Sequence, residues 1–373
     1  YGDIFDIEKR NGVESIYTVQ YSVNDGSGGW NGGWGEVLNF PYKSGGSPGG
    51  CCGFFQPTQE FVNSFRTSGG LPMLDASYNT AAEEIRRDQG IPVGTAWDNT
   101  ITYDKDASVL VFDPAEPNLD RVYSSVADNN TGNDPLTTSP ASWTLLWAED
   151  NTSEVDPRLD WAVGRRGIPF WDWGPHTGTD WIRDQTYAGP YVGKKQVYKK
   201  EQEGVLTEVG NWTSGWTANG YRMIRYADVL LLKAECEAMI PSGDYGLAEV
   251  NAIRARAANT AGFVKEADGT TDAANYVIGL YAAADFATPA AAMKAIKFER
   301  KLELGLEGHR YYDLQRWGDV VSELTRILAY EKTMEWGSIA YLGASIGPED
   351  VNYPIPQRQI AVSNENLIQN PGH

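Results

Sequence analysis

IKFERKLELGLEGHRYYDLQRWGD, residues 296–319, is the stretch on which the architecture turns. Its Phe298, Leu302 and Leu306 continue a stripe begun by Ala291 and Ala295, at the three and four residue spacing of one helix face. Thr288 is placed to cap this helix and Pro289 to occupy its first position. Leu314, Trp317, Val321, Leu324 and Leu328 make a following stripe, with Gly318 as a break or kink. Beside the first stripe Glu299, Glu303 and Glu307 stand four residues apart, a column of like charge that costs energy unless cations meet it. Arg300, Arg310 and Arg316 are close by in sequence. As a glycosidase acid and nucleophile these carboxylates would have to flank an open cleft. As structure they would be a salt-bridge network between helices, and their position beside the apolar stripe favours that use.

Upstream, Tyr226, Ala227, Leu230, Leu231, Ala234 and Ala238 predict an amphipathic helix ending before Pro241-Ser-Gly. Leu247, Val250, Ile253 and Ala257 predict its partner, giving an antiparallel hairpin of about tetratricopeptide length without that repeat's signature residues. Residues 353–373, with prolines at 354, 356 and 371, read as an extended strap with one short helical turn. Nearer the start, short helices are expected over Thr58 to Thr67 and Thr80 to Gln89, and a strand or helix end over Ser15 to Tyr21. Twelve glycines in the first fifty residues, and Pro, Gly, Asn and Asp punctuation through 91–220, predict long loops. The expected fold is mainly α, a tetratricopeptide-like helix-hairpin scaffold under a large loop-rich region with a few short strands. Residues 1–220 form the loop-rich, ligand-facing part and 221–373 the scaffold with its strap, together one integrated domain.

Fifty acidic residues against 31 basic ones give the 373-residue chain a formal charge of −19. Residues 1–160 hold 24 Asp/Glu against 9 Lys/Arg, so the loop-rich part carries most of the excess. That charge repels phosphate backbones, and nucleic acid is excluded as a partner class. No apolar run reaches the roughly 18 residues of a membrane span. Three cysteines, two of them the adjacent Cys51 and Cys52, offer neither a disulfide framework nor CxxC spacing. His176, His309 and His373 are the only histidines, and none stands in an HExxH or GxSxG setting. The glycine-rich loops are followed by no GK[ST], so they are no phosphate loop.

The aromatic residues carry the functional signal. Trp30 and Trp34 lie in a glycine-rich loop, and Trp171, Trp173 and Trp181 lie in FWDWGPHTGTDWIRDQ, interleaved with Asp172, His176, Asp180 and Arg183. A pyranose ring offers C–H groups to an indole face and hydroxyls to carboxylate, guanidinium or imidazole groups, so this mixture suits sugar. If residues 171–173 are extended, Trp171 and Trp173 project to one face and Asp172 to the other. The alternative is that these tryptophans plug the underside of the loops as core. The glycan platform is therefore placed on Trp171, Trp173, His176, Asp180, Trp181 and Arg183, with Trp30 and Trp34 as a second candidate. Asp128, Asn130, Gly132 and Asp134 in ADNNTGNDP superficially resemble the start of a calcium loop without its distal glutamate, and a turn rich in Asn and Asp for its own backbone reasons is the favoured explanation. No cofactor is expected beyond that weak calcium option.

Residues 296–319 resemble the ERxxELxxEGxRxxDLxRWG signature of the SusD/RagB family. YRMIRYADVLLLKAECEA at 221–238, AEVNAIRARA at 248–257 and PIPQRQIAVSNENLIQNPG at 354–372 are similar to further family segments, as are PTQEFVNSF at 57–65 and DPRLDWAVGRRG at 156–167. The resemblance implies a surface lipoprotein of Bacteroidetes, on the outer face of the outer membrane, that captures oligosaccharide without chemistry. It also implies delivery of that glycan to a SusC-like TonB-dependent transporter. It makes Glu299, Arg300, Glu303, Glu307, Arg310, Asp313 and Arg316 scaffold positions, against the alternatives of a glycoside hydrolase or a peptide-binding scaffold. The chain opens in what looks like the family's middle, so an N-terminal helical part is expected outside it, together with the lipid anchor that is its one link to the membrane. Neither Cys51 nor Cys52 fits the lipidation position.

Overall fold

The computed structural model describes every residue but 43–45, 114, 115, 150, 151, 211, 212, 214, 241 and 242, with the backbone alone for 116–119. The protein is mainly helical, with short strands scattered through its first part. The expected hairpin is present as a first helix, Tyr226–Met239, and a second, Leu247–Ala257. Its predicted Pro241 stop lies outside the described residues. The third helix, Pro289–Leu304, opens as expected, with the Thr288 hydroxyl accepting from Ala291 N–H. Ala227, Leu231, Ala234 and Ala238 of the first helix pack with Val250 and Ile253 of the second and Ala292, Ala295 and Ile296 of the third.

The predicted fourth helix is two, Arg310–Trp317 and Val320–Glu331, separated at Gly318. Gly318 has φ +77°, a left-handed cap that a side chain would strain. A further correction concerns the third helix's end. It stops at Leu304, so Leu306 leaves the stripe and Glu307 leaves the helix. The strap carries one short helix, Gln357–Val362.

Thr80 to Gln89 does not form the expected helix. The Asn63 side chain accepts from Ile85 N–H (2.9 Å), and the Gln59 amide donates to the Ile85 carbonyl (2.9 Å). Both Ile85 backbone groups are thus taken by side chains of the short helix Gln59–Asn63. Residues 91–220 hold a four-stranded sheet that periodicity did not reveal, ordered Thr95–Ala96, Ser108–Asp113, Glu116–Ser125, Trp143–Ala148. Val122 pairs with both Leu110 and Trp147. Near the start, Ser15–Val19 pairs antiparallel with Tyr221–Arg225.

The glutamate column meets cations, but not those expected from sequence proximity. Arg158 Nη1 reaches Glu299 (2.6 Å) and Glu303 (3.0 Å), while its Nε and Nη2 grip Asp156 (2.9 and 2.7 Å). Arg254 closes on the other Glu299 oxygen at 3.0 Å. Arg225 pairs with Glu303 (2.6 Å) and Glu307 (2.7 Å), and Lys195 with Glu307 (2.6 Å). Arg300 turns away to Asp228 and Asp313, and Arg316 to Glu235 and Asp313. The column therefore joins helices to the loop-rich part, where Arg158 and Lys195 lie. Burial alone would push the Glu303 carboxyl up, yet Arg256, Arg225, Arg158 and Lys195 together hold it well below the usual carboxylate range. Glu307 is likewise held at about 2 by Arg225 and Lys195 against its burial.

Glu149, just past the sheet's last strand, has the opposite fate. It is 5% exposed, and its Oε1 has no hydrogen-bond partner among the described residues. Burial pushes its carboxyl up to about 8, with Asp120 and Glu266 adding to the rise and Arg165 opposing it. Arg165 is itself held by Asp160 at 2.7 Å.

Two outcomes follow for stability. Glu303→Gln keeps the side-chain shape but leaves Arg158, Arg225 and Arg256 short of charge, and should cost about 3–5 kcal/mol, read from urea unfolding as a lower midpoint at unchanged slope. The Glu149 contribution is present in full below its ordinary value near 4.5, and is lost as pH rises from there through about 8, because the folded state holds the proton more tightly. Glu149→Gln should therefore melt higher than the parent at about pH 9 and alike at about pH 4, in thermal scans across that range.

Candidate functional site

The loop of residues 22–34 is folded by its own polar side chains. Asp25 accepts from Ser27 N–H (2.9 Å), from the Asn31 amide (2.8 Å) and from the Ser22 hydroxyl. Those bonds, the Ser22 hydroxyl first, hold its carboxyl below the usual range. Asn24 ties the loop to a second segment, donating its side-chain amide to the carbonyls of Gly204, Val205 and Thr207 and its backbone N–H to Glu208 (2.7 Å). Gly33 N–H reaches the Thr217 carbonyl at 2.8 Å.

These ties bring three indoles into one stack. Trp30 lies on Trp34 with centroids 4.9 Å apart and planes 25° from parallel, and Trp34 lies on Trp216 at 5.1 Å and 24°. Trp34 Nε1 donates to the Gly29 carbonyl at 3.0 Å. Trp216 is buried and Trp34 half-buried, while Trp30 is 75% exposed. Glycine is required beneath the stack, since a Cβ at Gly29 would fall 1.6 Å from the Trp216 ring and one at Gly210 2.4 Å from it. The result is a single outward indole face, rigidly backed.

The other predicted group is arranged differently from the expectation. Residues 170–174 form a tight turn, with Trp173 N–H on the Phe170 carbonyl (3.0 Å) and Phe170 N–H on that of Gly174 (2.9 Å). Trp171 has φ +52°, so the segment is not extended and its two indoles do not share a face. Trp171 leans edge-on against Trp161 at 5.1 Å, and Trp173 donates from Nε1 to the Tyr198 carbonyl at 2.9 Å. Both are half-buried against the core that contains Phe40, Phe170 and Tyr198. Trp181 belongs to that core at 5% exposure, and His176 is 1% exposed. Burial, with Arg166 and Lys194 near it, lowers the His176 imidazole to about 3, so it is neutral. As surface ligands for sugar, Trp181 and His176 are thus corrected: the turn that Gly174 closes folds them inward. Asp172 is exposed but accepts from Lys200 and Glu201 N–H (2.6 and 2.9 Å), capping the turn Lys200–Gln202. Asp180 and Arg183 reach solvent.

Three features went unread in the sequence. Trp216 backs the stack, and no local pattern announces it. Cys51 and Cys52 are joined to each other as a disulfide, packed in the same core. Tyr42 and Phe54 flank the Arg183 guanidinium. The calcium option meets a chemical obstacle. Asp128 accepts from Lys105 N–H (2.9 Å), the Asn130 amide serves Ser125 and Ser142, and Asp134 caps the helix Pro135–Thr138. Among the described residues one carboxylate trio, Glu237, Asp244 and Glu249, converges closely enough for a metal ion, and Lys233 already pairs with two of its members. The column Glu299, Glu303 and Glu307 lines no cleft, being buried and ion-paired throughout.

Known proteins resemble the chain as follows. A SusD-like protein from Bacteroides fragilis aligns over 100% of this chain and 57% of its own, at 16% identity and a TM-score of 0.49. The surface glycan-binding protein A from Bacteroides thetaiotaomicron aligns over 100% and 54%, at 18% identity and 0.46. A SusD superfamily protein from Bacteroides vulgatus aligns over 57% and 39%, at 23% identity and 0.35. The chain thus spans 39% to 57% of the length of these structures. No curated protein matches it. Residues 13–373 match the family model described as SusD family, SusD_RagB, and the chain belongs to that family.

Proposed function

We propose that the protein captures an oligosaccharide at the cell surface and delivers it to a SusC-like TonB-dependent transporter, without cleaving it. Family membership supports the class. The observation that carries the reading is the exposed face of Trp30, backed by Trp34 and Trp216, in a loop tied down at both ends. An aromatic ring left three-quarters exposed at a hydrophobic cost, yet held rigid, is a surface prepared for a flat apolar face. One pyranose ring is expected to stack on it. On this reading the protein is a lipid-anchored resident of the outer membrane's outer face.

A glycoside hydrolase has no support in the glutamate column. Glu303 and Glu307 are held ionised, so neither has a proton to give a leaving group. A peptide-binding scaffold would use the helix faces and leave Trp30 without a role.

Affinity gels over a polysaccharide panel should retard the protein with no reducing sugar released. Against the glycan so identified, Trp30→Ala should weaken binding about five- to a hundredfold by calorimetry, by analogy with base stacking on aromatics, at an unchanged melting temperature. Trp216→Ala removes the buried base of the stack and should instead cost about 3–5 kcal/mol of stability. Trp30→Ala binding like the parent would place the platform elsewhere.

A further inference from the structure

Arg183 is the one residue of the predicted platform whose charged group faces solvent from a constructed setting. Its guanidinium carbon stands 4.6 Å from the Phe54 ring centroid and 5.4 Å from that of Tyr42. Nη1 donates to the Cys52 carbonyl at 2.8 Å. The two rings are themselves fixed through the backbone, Tyr42 N–H on the Trp181 carbonyl (3.2 Å) and Phe54 N–H on that of Leu38 (2.9 Å). Between them Gly53 has φ +64°, and a Cβ there would sit 2.9 Å from the Arg183 Cβ and 3.4 Å from that of Tyr42. Only glycine lets the three side chains close up.

Among the described residues no carboxylate pairs with Arg183, although the chain has 50 acidic groups. Its neighbour Asp184 turns back to accept from Thr186 N–H and hydroxyl (2.8 and 2.7 Å). A guanidinium stacked on rings and anchored by one nitrogen has lost most of its rotamer freedom and keeps its remaining N–H groups for a planar acceptor. Carboxylate is the acceptor that matches such a fork. The partly exposed Tyr42 and Phe54 rings offer apolar surface beside it.

Resting on the glycan-binding reading above, we infer that Arg183, Tyr42 and Phe54 form a second subsite that takes the carboxylate of a uronic acid residue. The acidic excess of the surrounding part repels a polyanion, and screening confines that repulsion to about 10 Å. The subsite therefore suits a single uronic acid set in an otherwise neutral glycan, and a polyuronate poorly.

The test uses oligosaccharides of several neutral backbones, each bearing one glucuronic acid, together with their carboxyl-reduced counterparts. The parent should prefer an acidic form to its reduced form by about tenfold in calorimetry. Raising salt from about 50 mM to about 500 mM should shrink that ratio. Arg183→Gln should bring it towards one, and Arg183→Lys should restore only part, since the ammonium lacks the fork. Trp30→Ala should weaken both forms and leave the ratio. Equal binding of acidic and reduced forms by the parent overturns this subsite while leaving the glycan reading standing, and needs no variant to fold. Binding of neither form across the panel overturns both.

Discussion

Glu303 is the point on which the structure hangs. It is wholly buried near the end of the third helix, and Arg158, Arg225 and Arg256 reach it from three separate segments. A buried carboxylate is tolerable only where its desolvation is offset by close opposite charge and by full hydrogen bonding. That requirement fixes the register of the helix against the 156–166 segment and against the strand Tyr221–Arg225. The neighbouring pairs repeat the demand, Arg254 with Glu299 one helical turn before it and Lys195 with Glu307 just past the helix end. Apolar packing alone would tolerate sliding, whereas a column of matched charges does not.

The proposed binding surface inherits its placement from this arrangement. The segment that carries Arg158 runs on into the turn at 170–174, whose Phe170 and Trp173 pack with Tyr198 and Phe40. Trp216 belongs to the same core, and the glycine-rich loops of the first part hold Trp30, Tyr42 and Phe54. Glycine is needed there because side chains approach the backbone more closely than a Cβ allows, the Trp216 indole at Gly29 and the Arg183 Cβ at Gly53. The loops are long but tied, Asn24 alone making four bonds to the 204–208 segment. Rigid aromatic surface in an irregular chain is thus obtained from side-chain ties and not from strand ladders.

What the sequence made legible was local and periodic. The scaffold helices, the Thr288 and Pro289 start and the Gly318 break all depend on residues within a turn or two of each other. The glutamate column was recognised as structural, yet its partners were misassigned, because Arg158 and Arg225 come from far along the chain while Arg300 and Arg316 merely stand near in sequence. Thr80 to Gln89 shows tertiary structure overriding propensity through two side chains that capture Ile85. The Trp171 to Trp173 segment failed for a related reason: spacing of two means a shared face only in extended backbone, and Phe170 and Gly174 close a turn instead. Trp30 and Trp34 were found as a pair, while Trp216, brought in from 182 residues after Trp34, left no trace in the pattern.

The division at residue 220 separates two kinds of sequence, and the proposal that follows from the buried charges is that both belong to one cooperative unit. Native-state hydrogen exchange across a urea series tests this most directly. The amides of 158–165, of the strand Tyr221–Arg225 and of the third helix should converge on one opening free energy and one denaturant dependence. Exchange of 158–165 through a separate opening of lower energy, with the third helix still protected, would contradict it.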